Sequence, residues 1–208
     1  MIRYSDKTCA EFANQLAART PIPGGGSTTA LVGALASALC SMAANYTTGK
    51  KYIEIQSAIH EVLEKTDIIL HRLLELIEQD IQAYEQLSLS YSIPSDNPDR
   101  KKEIERASIN ACEPPLSIIN ECCELIKLID FMSENSNRML LSDVGCSAIL
   151  CKATIECASM NVFVNTRSLK HNDAAKEIEY RVHDVMSQYI PLIESIISKI
   201  TTIIEERE

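Results

Sequence analysis

The sequence predicts an all-α protein, a bundle of about six helices without a sheet. Most of the chain carries apolar residues at the three- and four-residue spacing of amphipathic helices. No segment alternates polar and apolar residues as a half-buried strand does, and proline, glycine and asparagine cluster between the periodic segments. A chain of 208 residues is long enough for one domain with a sizeable core, so we expect a single domain over residues 1–208.

Two helices and a glycine-rich loop are predicted in the first quarter of the chain. Thr8 and Glu11 have the spacing of a capping box, which starts a helix that ends near Arg19. Proline and three glycines make residues 20–27 a loop, and Ser27 is the expected N-cap of a second helix of small residues ending near Tyr46.

The rest of the chain predicts four more helices. The first is long and ends at about Tyr91, and the second is bent at Pro114-Pro115 and ends near Met132. The third has Ser142 and Asp143 at its N-cap and first turn and runs to about Thr166. The last starts at Asn172 and has a kink at Pro191. No repeat of solenoid type is present, so a helical bundle is the expected architecture.

Composition narrows the class of protein. The net charge of −9 argues against a nucleic-acid partner, which binds clustered Lys and Arg. The start of the chain lacks the features of a secretory signal, and the most apolar segment, residues 29–44, is shorter than the roughly 20 residues of a membrane span. We therefore expect a cytoplasmic protein with no membrane contact, whose eight cysteines are reduced core residues.

No metal is expected either. The four histidines show neither an H-x-x-x-H pair nor the Glu-x-x-His of di-iron bundles, and no C-x-x-C pair occurs.

The glycines Gly24, Gly25 and Gly26 precede a predicted helix start. Unshielded backbone N–H groups at the positive end of a helix dipole suit an anionic or carbonyl-bearing ligand, although a tight turn explains the same glycines. Lys50 and Lys51 follow the C-terminal end of the same predicted helix, where they either bind a ligand or compensate the helix dipole.

Two aspartates are candidates for proton transfer. The neighbours of Asp80 at i+3 and i+4, Ala83 and Tyr84, suggest an inward-facing carboxyl, and apolar residues surround Asp143. Desolvation of Asp143 would raise its pKa into a range useful for proton transfer, whereas an ordinary first-turn acid is the alternative. For Asp80 the alternative is an exposed helix acid. Asn161 and Asn165 share one helix face, so each needs a ligand or a neighbouring helix as partner.

The motifs taken together resemble a known family. The string Thr20-Pro21-Ile22-Pro23-Gly24-Gly25-Gly26-Ser27, an alanine-rich helix, and then Asn45-Tyr46-Thr47-Thr48-Gly49-Lys50-Lys51-Tyr52 is similar to the signature of the cyclodeaminase/cyclohydrolase family. Asp80 with Tyr84, Pro115-Leu116, Ser142-Asp143-Val144, and Asn161 with Asn165 extend the resemblance over nearly the whole chain. The family often has leucine at position 46 and a second acid at position 79.

The resemblance implies an all-helical homodimer that binds folate near the subunit contact and uses no cofactor or metal beyond the tetrahydrofolate substrate. It implies formiminotetrahydrofolate cyclodeaminase activity, which closes the methenyl bridge and releases ammonia, with methenyltetrahydrofolate cyclohydrolase activity as the alternative. A non-catalytic helical binding or adaptor module is the alternative from another class.

On this resemblance each candidate residue has an expected role. Asp143 and Asp80 are the candidate general acid–base groups. The expected substrate-binding residues are Pro23, Gly24, Gly25, Gly26 and Ser27 for the pterin or an anionic group, Lys50, Lys51 and Arg138 for the glutamate tail, and Asn161 and Asn165.

Overall fold

The structure, a computed structural model, describes residues 3–169 and 171–206, and all regular elements in these ranges are helical. The α-helices are α1 (Cys9–Ala17), α2 (Gly25–Asn45), α3 (Gln56–Tyr91), α4 (Arg100–Asn110), α5 (Glu113–Asn135), α6 (Leu141–Thr166) and α7 (Asp173–Glu205). Short 3₁₀ helices cover Tyr4–Asp6, Lys50–Ile55 and Arg138–Leu140. The predicted all-α bundle is confirmed.

Side-chain caps predicted from the sequence begin two of the helices. The Thr8 side chain accepts from the backbone N–H of Glu11, whose carboxylate accepts from the N–H of Thr8, so the predicted capping box is present. Asn172 caps α7 by accepting from the N–H of Ala175.

The segment predicted as one bent helix is two helices, α4 and α5. The chain turns at residues 111–112, and Pro114 and Pro115 occupy the first turn of α5. Proline fits there because the first N–H groups of a helix have no intrahelical acceptor. The pair therefore starts a helix, and does not bend one.

The start of α2 differs from the prediction. Gly24 is the N-cap, Gly25 and Gly26 are already helical, and Ser27 is the third helical residue. Ser27 is not the cap because its hydroxyl donates to the side chain of Asp80 on α3. The helix thus begins with small residues, beside a buried Pro23 that follows a cis peptide bond.

The start of α6 also differs slightly. The residue before the helix is Leu140, and Ser142 lies within the first turn instead of at the N-cap. The side chain of Asn137 accepts from the N–H of Met139 and caps the 3₁₀ turn that leads into α6. This turn occupies the position where a direct serine cap was expected.

Helix α2 lies at the centre of the bundle, between α3 and α6, and contacts α5. Its direction opposes that of α6, because Gly25 lies beside Asn161 at one end and Thr47 bonds the N–H of Asn137 at the other. The small residues of α2 allow this close approach. Buried hydroxyls join the helices midway, with Ser147 donating to the carbonyl of Ala36 at 2.7 Å.

Large aliphatic side chains of α3, α5, α6 and α7 fill the core around α2. Leu73, Ile77, Ile126 and Ile155 are fully buried, and each buried side chain of this size stabilises the fold by about 1.5–3 kcal/mol. The core therefore fixes the relative positions of α2, α3 and α6.

Two helical segments in the described ranges, Gly25–Asn45 and Arg138–Thr166, are long and apolar enough to cross a membrane by length and composition. The helix α2 is longer than the apolar segment considered in the sequence. Most of its apolar window (56%) is buried in the bundle, against 44% for the second segment. Both helices therefore pack one side against the core of the bundle and have apolar residues on the outer side.

Candidate active site

A cavity of about 370 Å³ lies where α2 begins, α6 ends and the second half of α3 passes. Its volume is within the usual range of small-molecule sites, about 300–1,000 Å³. The lining residues are Pro21, Ile22, Gly24, Gly25, Gly26, Asp80, Ala83, Tyr84, Leu87, Tyr91, Ala111, Asn161, Val164 and Asn165. Polar groups from three helices therefore meet in one concave site.

Asp80 is the carboxylic acid of this cavity. Its Oδ2 accepts a hydrogen bond of 2.7 Å from the hydroxyl of Ser27, which is fully buried. Its other oxygen, Oδ1, lies against the backbone of Gly26. Asp80 is therefore held in place by α2 and lines the cavity.

Burial raises the pKa of the Asp80 carboxyl above its ordinary value, because the charged form loses hydration. The hydroxyl and the backbone N–H of Ser27 act in the opposite direction and lower that pKa, because they stabilise the carboxylate. Desolvation is the larger effect. A carboxyl with a raised pKa is better suited to gain and lose a proton during a reaction than an ordinary exposed carboxylate.

Only glycine fits at position 26. A Cβ atom built there would collide with Asp80 Oδ1. Gly24 is different, since a Cβ there meets nothing within 4 Å. The third glycine of the motif is therefore required for the approach of the carboxylate to the helix, and the first is not.

The side-chain amides of Asn161 and Asn165 have a defined orientation. Asn161 donates from Nδ2 to the carbonyl of Cys157, and Asn165 donates from Nδ2 to the carbonyl of Ala111, each at 2.8 Å. Because the nitrogens face carbonyl oxygens, each amide keeps its oxygen for other donors. The oxygen of Asn161 points towards Gly25.

The structure brings together six of the residues predicted for the site. Gly24, Gly25, Gly26, Asp80, Asn161 and Asn165 line the cavity. Pro23 and Ser27 are buried beside it, and Ser27 touches Asp80. The sequence hypothesis thus identified most of the polar lining.

Four predicted residues lie elsewhere. Asp143 is in the first turn of α6, while Asn161 is near the last turn of that helix, so the two are separated by about 27 Å at 1.5 Å per residue. Lys50 and Lys51 follow the far end of α2, and Arg138 precedes α6 at the same end. Within one chain these four are remote from Asp80.

The apolar walls of the cavity were not all predicted. Tyr84, Leu87 and Tyr91 line it, and they follow Asp80 at i+4, i+7 and i+11, so they share its helix face. This periodicity is visible in the sequence. The contribution of Ala111 is not, because it depends on the turn between α4 and α5.

Comparison with known proteins gives a family for the chain. The model of the formiminotransferase-cyclodeaminase family matches residues 8–184. The chain belongs to this family. The resemblance stated from the glycine, lysine and asparagine motifs is therefore confirmed.

Two similar proteins have names of folate enzymes. Methenyltetrahydrofolate cyclohydrolase of Methylorubrum extorquens is 32% identical over 83% of this chain and 85% of its own length. Formimidoyltransferase-cyclodeaminase of Rattus norvegicus is 21% identical over 88% of this chain, and the match spans 35% of that longer protein.

A solved structure supports the fold. Formiminotetrahydrofolate cyclodeaminase of Thermotoga maritima superposes with a TM-score of 0.88, covering 96% of this chain and 98% of the other, at 24% identity. The helical architecture is therefore shared with a protein of this family.

Proposed function

We propose that the protein is a methenyltetrahydrofolate cyclohydrolase, which adds water to the bridge carbon of 5,10-methenyltetrahydrofolate and yields 10-formyltetrahydrofolate. The observation that carries the proposal is the carboxyl of Asp80 in a cavity with Gly24, Asn161 and Asn165. The choice of reaction is supported by the cyclohydrolase relative, which matches along most of both chains.

The cavity suits a reduced pterin. That ring presents N–H donors at its 2-amino group, N3 and N8, and the cavity offers the amide oxygens of Asn161 and Asn165 as acceptors, which leaves the carboxyl of Asp80 for the reaction. Tyr84 and Leu87 supply apolar surface for the ring faces. These hydrogen-bond acceptors favour a heterocycle rich in N–H donors over an anionic ligand.

Asp80 serves as general base and then as general acid. In its ionised form it takes one proton from the water that attacks the bridge carbon, which leaves a neutral carbinol between N5 and N10. The hydroxyl then loses its proton as the carbonyl forms, the bond between carbon and N5 breaks, and N5 gains a proton from Asp80. One proton is released overall, and such assistance contributes about 10²–10⁴-fold to the rate.

Formiminotetrahydrofolate cyclodeaminase is the second candidate, supported by the family match and by the named cyclodeaminase relatives. There the formimino group reacts in its protonated form: Asp80 takes the proton of N10 as that nitrogen attacks the formimino carbon and gives it to the amine. The amine then leaves as ammonia, and the positive charge passes to the methenyl bridge. Both reactions pass through a tetrahedral bridge carbon, so one carboxyl serves either. Neither step requires a metal or redox cofactor.

We also propose a homodimer formed through the outer sides of α2 and α6. Exposed or half-buried apolar residues repeat at helical spacing along both helices, namely Val32, Leu35, Leu39 and Met42 on α2 and Ile149, Ala153, Met160 and Val164 on α6. No residue of α2 is charged. Two such helices side by side form a flat apolar surface that a second copy covers by self-complementarity.

A second copy on this face explains the distant cations. Lys50 and Lys51 are about 30 Å from the start of α2 at 1.5 Å per residue. If the two-fold axis is perpendicular to α2 and α6, the end of α2 that carries the lysines lies over the cavity of the partner. If the axis is parallel to these helices, the lysines of the two copies lie next to each other. Like-charge repulsion disfavours the second arrangement, so we assign these lysines to the glutamate tail of substrate in the partner's cavity.

The test uses the absorbance of the methenyltetrahydrofolate chromophore. With purified protein the chromophore of the methenyl compound is expected to disappear faster than in buffer alone. Appearance of that chromophore from 5-formiminotetrahydrofolate, with ammonia release, identifies the cyclodeaminase instead. No change above the uncatalysed rate with either compound would reject both reactions and leave the helical binding module.

A further inference from the structure

The hydroxyl of Ser27 differs from those of the next two residues. Thr28 and Thr29 donate to carbonyls one turn back in α2, those of Gly24 and Gly25, at 2.8 and 2.7 Å. Ser27 instead donates across to Asp80 on α3. The carbonyl one turn back from Ser27 belongs to Pro23, which precedes the N-cap Gly24, so the buried hydroxyl of Ser27 bonds the carboxylate of another helix instead.

We propose that Ser27 is a positioning residue, which engages one oxygen of Asp80 so that the proton used in the reaction is carried on the other. The inference rests on the proposed acid–base role of Asp80. Oδ2 accepts from Ser27, while Oδ1 lies over Gly26 at the cavity wall. The serine therefore fixes which carboxylate oxygen its hydroxyl engages, and Gly26 leaves room for the other oxygen.

A serine hydroxyl suits an acid that changes its charge. It donates to Oδ2 both when Asp80 is ionised and when Asp80 carries a proton on Oδ1, so the side chain keeps its partner through the cycle. A lysine or arginine in its place would hold the carboxyl permanently ionised. The serine thus orients Asp80 and only moderates the effect of burial on its charge.

Ser27→Ala tests this proposal. Removal of the donor is expected to lower kcat about tenfold with little change in KM, because the carboxyl loses its fixed orientation while the ring-binding groups stay in place. The acidic limb of the pH profile of kcat should move to higher pH, because the serine stabilises the carboxylate. Ser27→Thr keeps a hydroxyl and should return both quantities towards the native values.

The matched control is Ser37→Ala. Ser37 is also fully buried on α2 and donates one hydrogen bond to α3, to the carbonyl of Thr66 at 2.8 Å. Its loss should weaken the same helix pair without moving the pH profile. A shift of equal size in both variants, or none in Ser27→Ala, would overturn the positioning role.

A second measurement separates this proposal from the proposed function. Carboxyl ¹³C NMR of the substrate-free protein follows the titration of Asp80, and its midpoint should rise in Ser27→Ala. This titration does not depend on the proposed function. If Asp80→Asn is fully active, the acid–base role of Asp80 is rejected, but a raised midpoint in Ser27→Ala still supports the coupling between the serine and the carboxyl. An unchanged midpoint would reject the coupling itself.

Discussion

Ser27 Oγ on α2 and Asp80 Oδ2 on α3 are 2.7 Å apart, and this hydrogen bond joins the first turn of the central helix to the carboxyl of the cavity. The two residues are 53 positions apart in the chain. The bond therefore forms only when α2 and α3 pack together. Folding of the helix pair and assembly of the site are the same event, which makes the site sensitive to small changes at this contact.

Gly26→Ala should be far more harmful than Gly24→Ala. The added methyl group collides with Asp80 Oδ1 at position 26 and meets nothing at position 24. Overpacking of this kind costs about 1–3 kcal/mol, and the change at the half-buried N-cap costs less than about 1 kcal/mol. Urea unfolding of both variants measures the difference, and equal midpoints would contradict the close approach.

Asp80→Asn is expected to reduce kcat by about 10²–10⁴-fold, because the amide does not accept or deliver the proton. Asp143→Asn should change kcat much less, since Asp80 supplies the carboxyl of the cavity and Asp143 lies near the opposite end of α6 from the cavity of its own chain. Single-turnover decay of the methenyl chromophore measures both. The assignment of the base is lost if Asp143→Asn is the inactive variant.

The stability of the native protein should fall, relative to that of Asp80→Asn, as the pH rises. The folded state holds the pKa of Asp80 above the unfolded value of 3.8, so between these two values the native state binds more protons than the unfolded chain. Its free energy of unfolding therefore decreases with pH across that window. Asparagine has no such dependence, while its amide oxygen still accepts from Ser27.

Urea denaturation of both proteins, from about pH 3.5 upward, measures this difference. As the pH rises, the free energy of unfolding of the native protein should decrease relative to that of Asp80→Asn. The difference should become constant above the pKa of Asp80 in the folded state. A gap independent of pH would show that burial does not disfavour the Asp80 carboxylate.

Leu35→Glu and Met160→Glu should convert the proposed dimer into monomers. Both side chains are exposed on the face formed by α2 and α6, at 51% and 70%, and a glutamate there places charge in an apolar contact. Ile68→Glu is the matched control, because Ile68 is 66% exposed on α3. Light scattering gives the mass of each variant.

The dimer proposal fails if the native protein is monomeric at the concentrations of the assay. Co-sedimentation with phosphatidylcholine vesicles by a monomeric native protein would assign the apolar face to a lipid surface instead. Loss of the dimer in Ile68→Glu as well would show that the effect is not specific to this face.

Mixed dimers test the assignment of the lysines. The double variant Lys50→Gln, Lys51→Gln should show a raised KM for polyglutamylated substrate, and Asp80→Asn should be nearly inactive. If the lysines act in the partner's cavity, a mixed dimer contains one site with native Asp80 and native lysines. Native KM should then reappear on mixing and refolding the two variants together, whereas lysines acting within their own chain give no recovery.

The sequence predicted the helices well where the signal is local. The capping box at Thr8, the loop before α2, the length of α3 and the Asn172 cap depend on neighbours within one turn, and such signals act before tertiary packing. The predictions at Ser27 and Ser142 were wrong as N-caps. In each case a contact from another part of the chain, or a preceding 3₁₀ turn, replaced the expected cap.

Site prediction followed the same division. Gly24 to Gly26, Asp80, Asn161 and Asn165 were identified by residue type and spacing, and the structure gathers them in one cavity. Asp143 had an equally good sequence argument, with apolar neighbours and a helix start. It lies elsewhere because the opposed directions of α2 and α6 place the start of α6 beside the end of α2.

By itself the sequence determined the helical class, most helix boundaries and the set of polar residues from which a site is built, because these follow from periodicity, capping and side-chain chemistry. Only the tertiary structure decided that Asp80 faces Ser27 and Gly26, and that Asp143 and the lysines of the same chain lie at the other end of the bundle. The physical reason is that α2 packs between α3 and α6 in one direction only, and residues 53 to 136 positions apart in the chain meet or separate according to that packing.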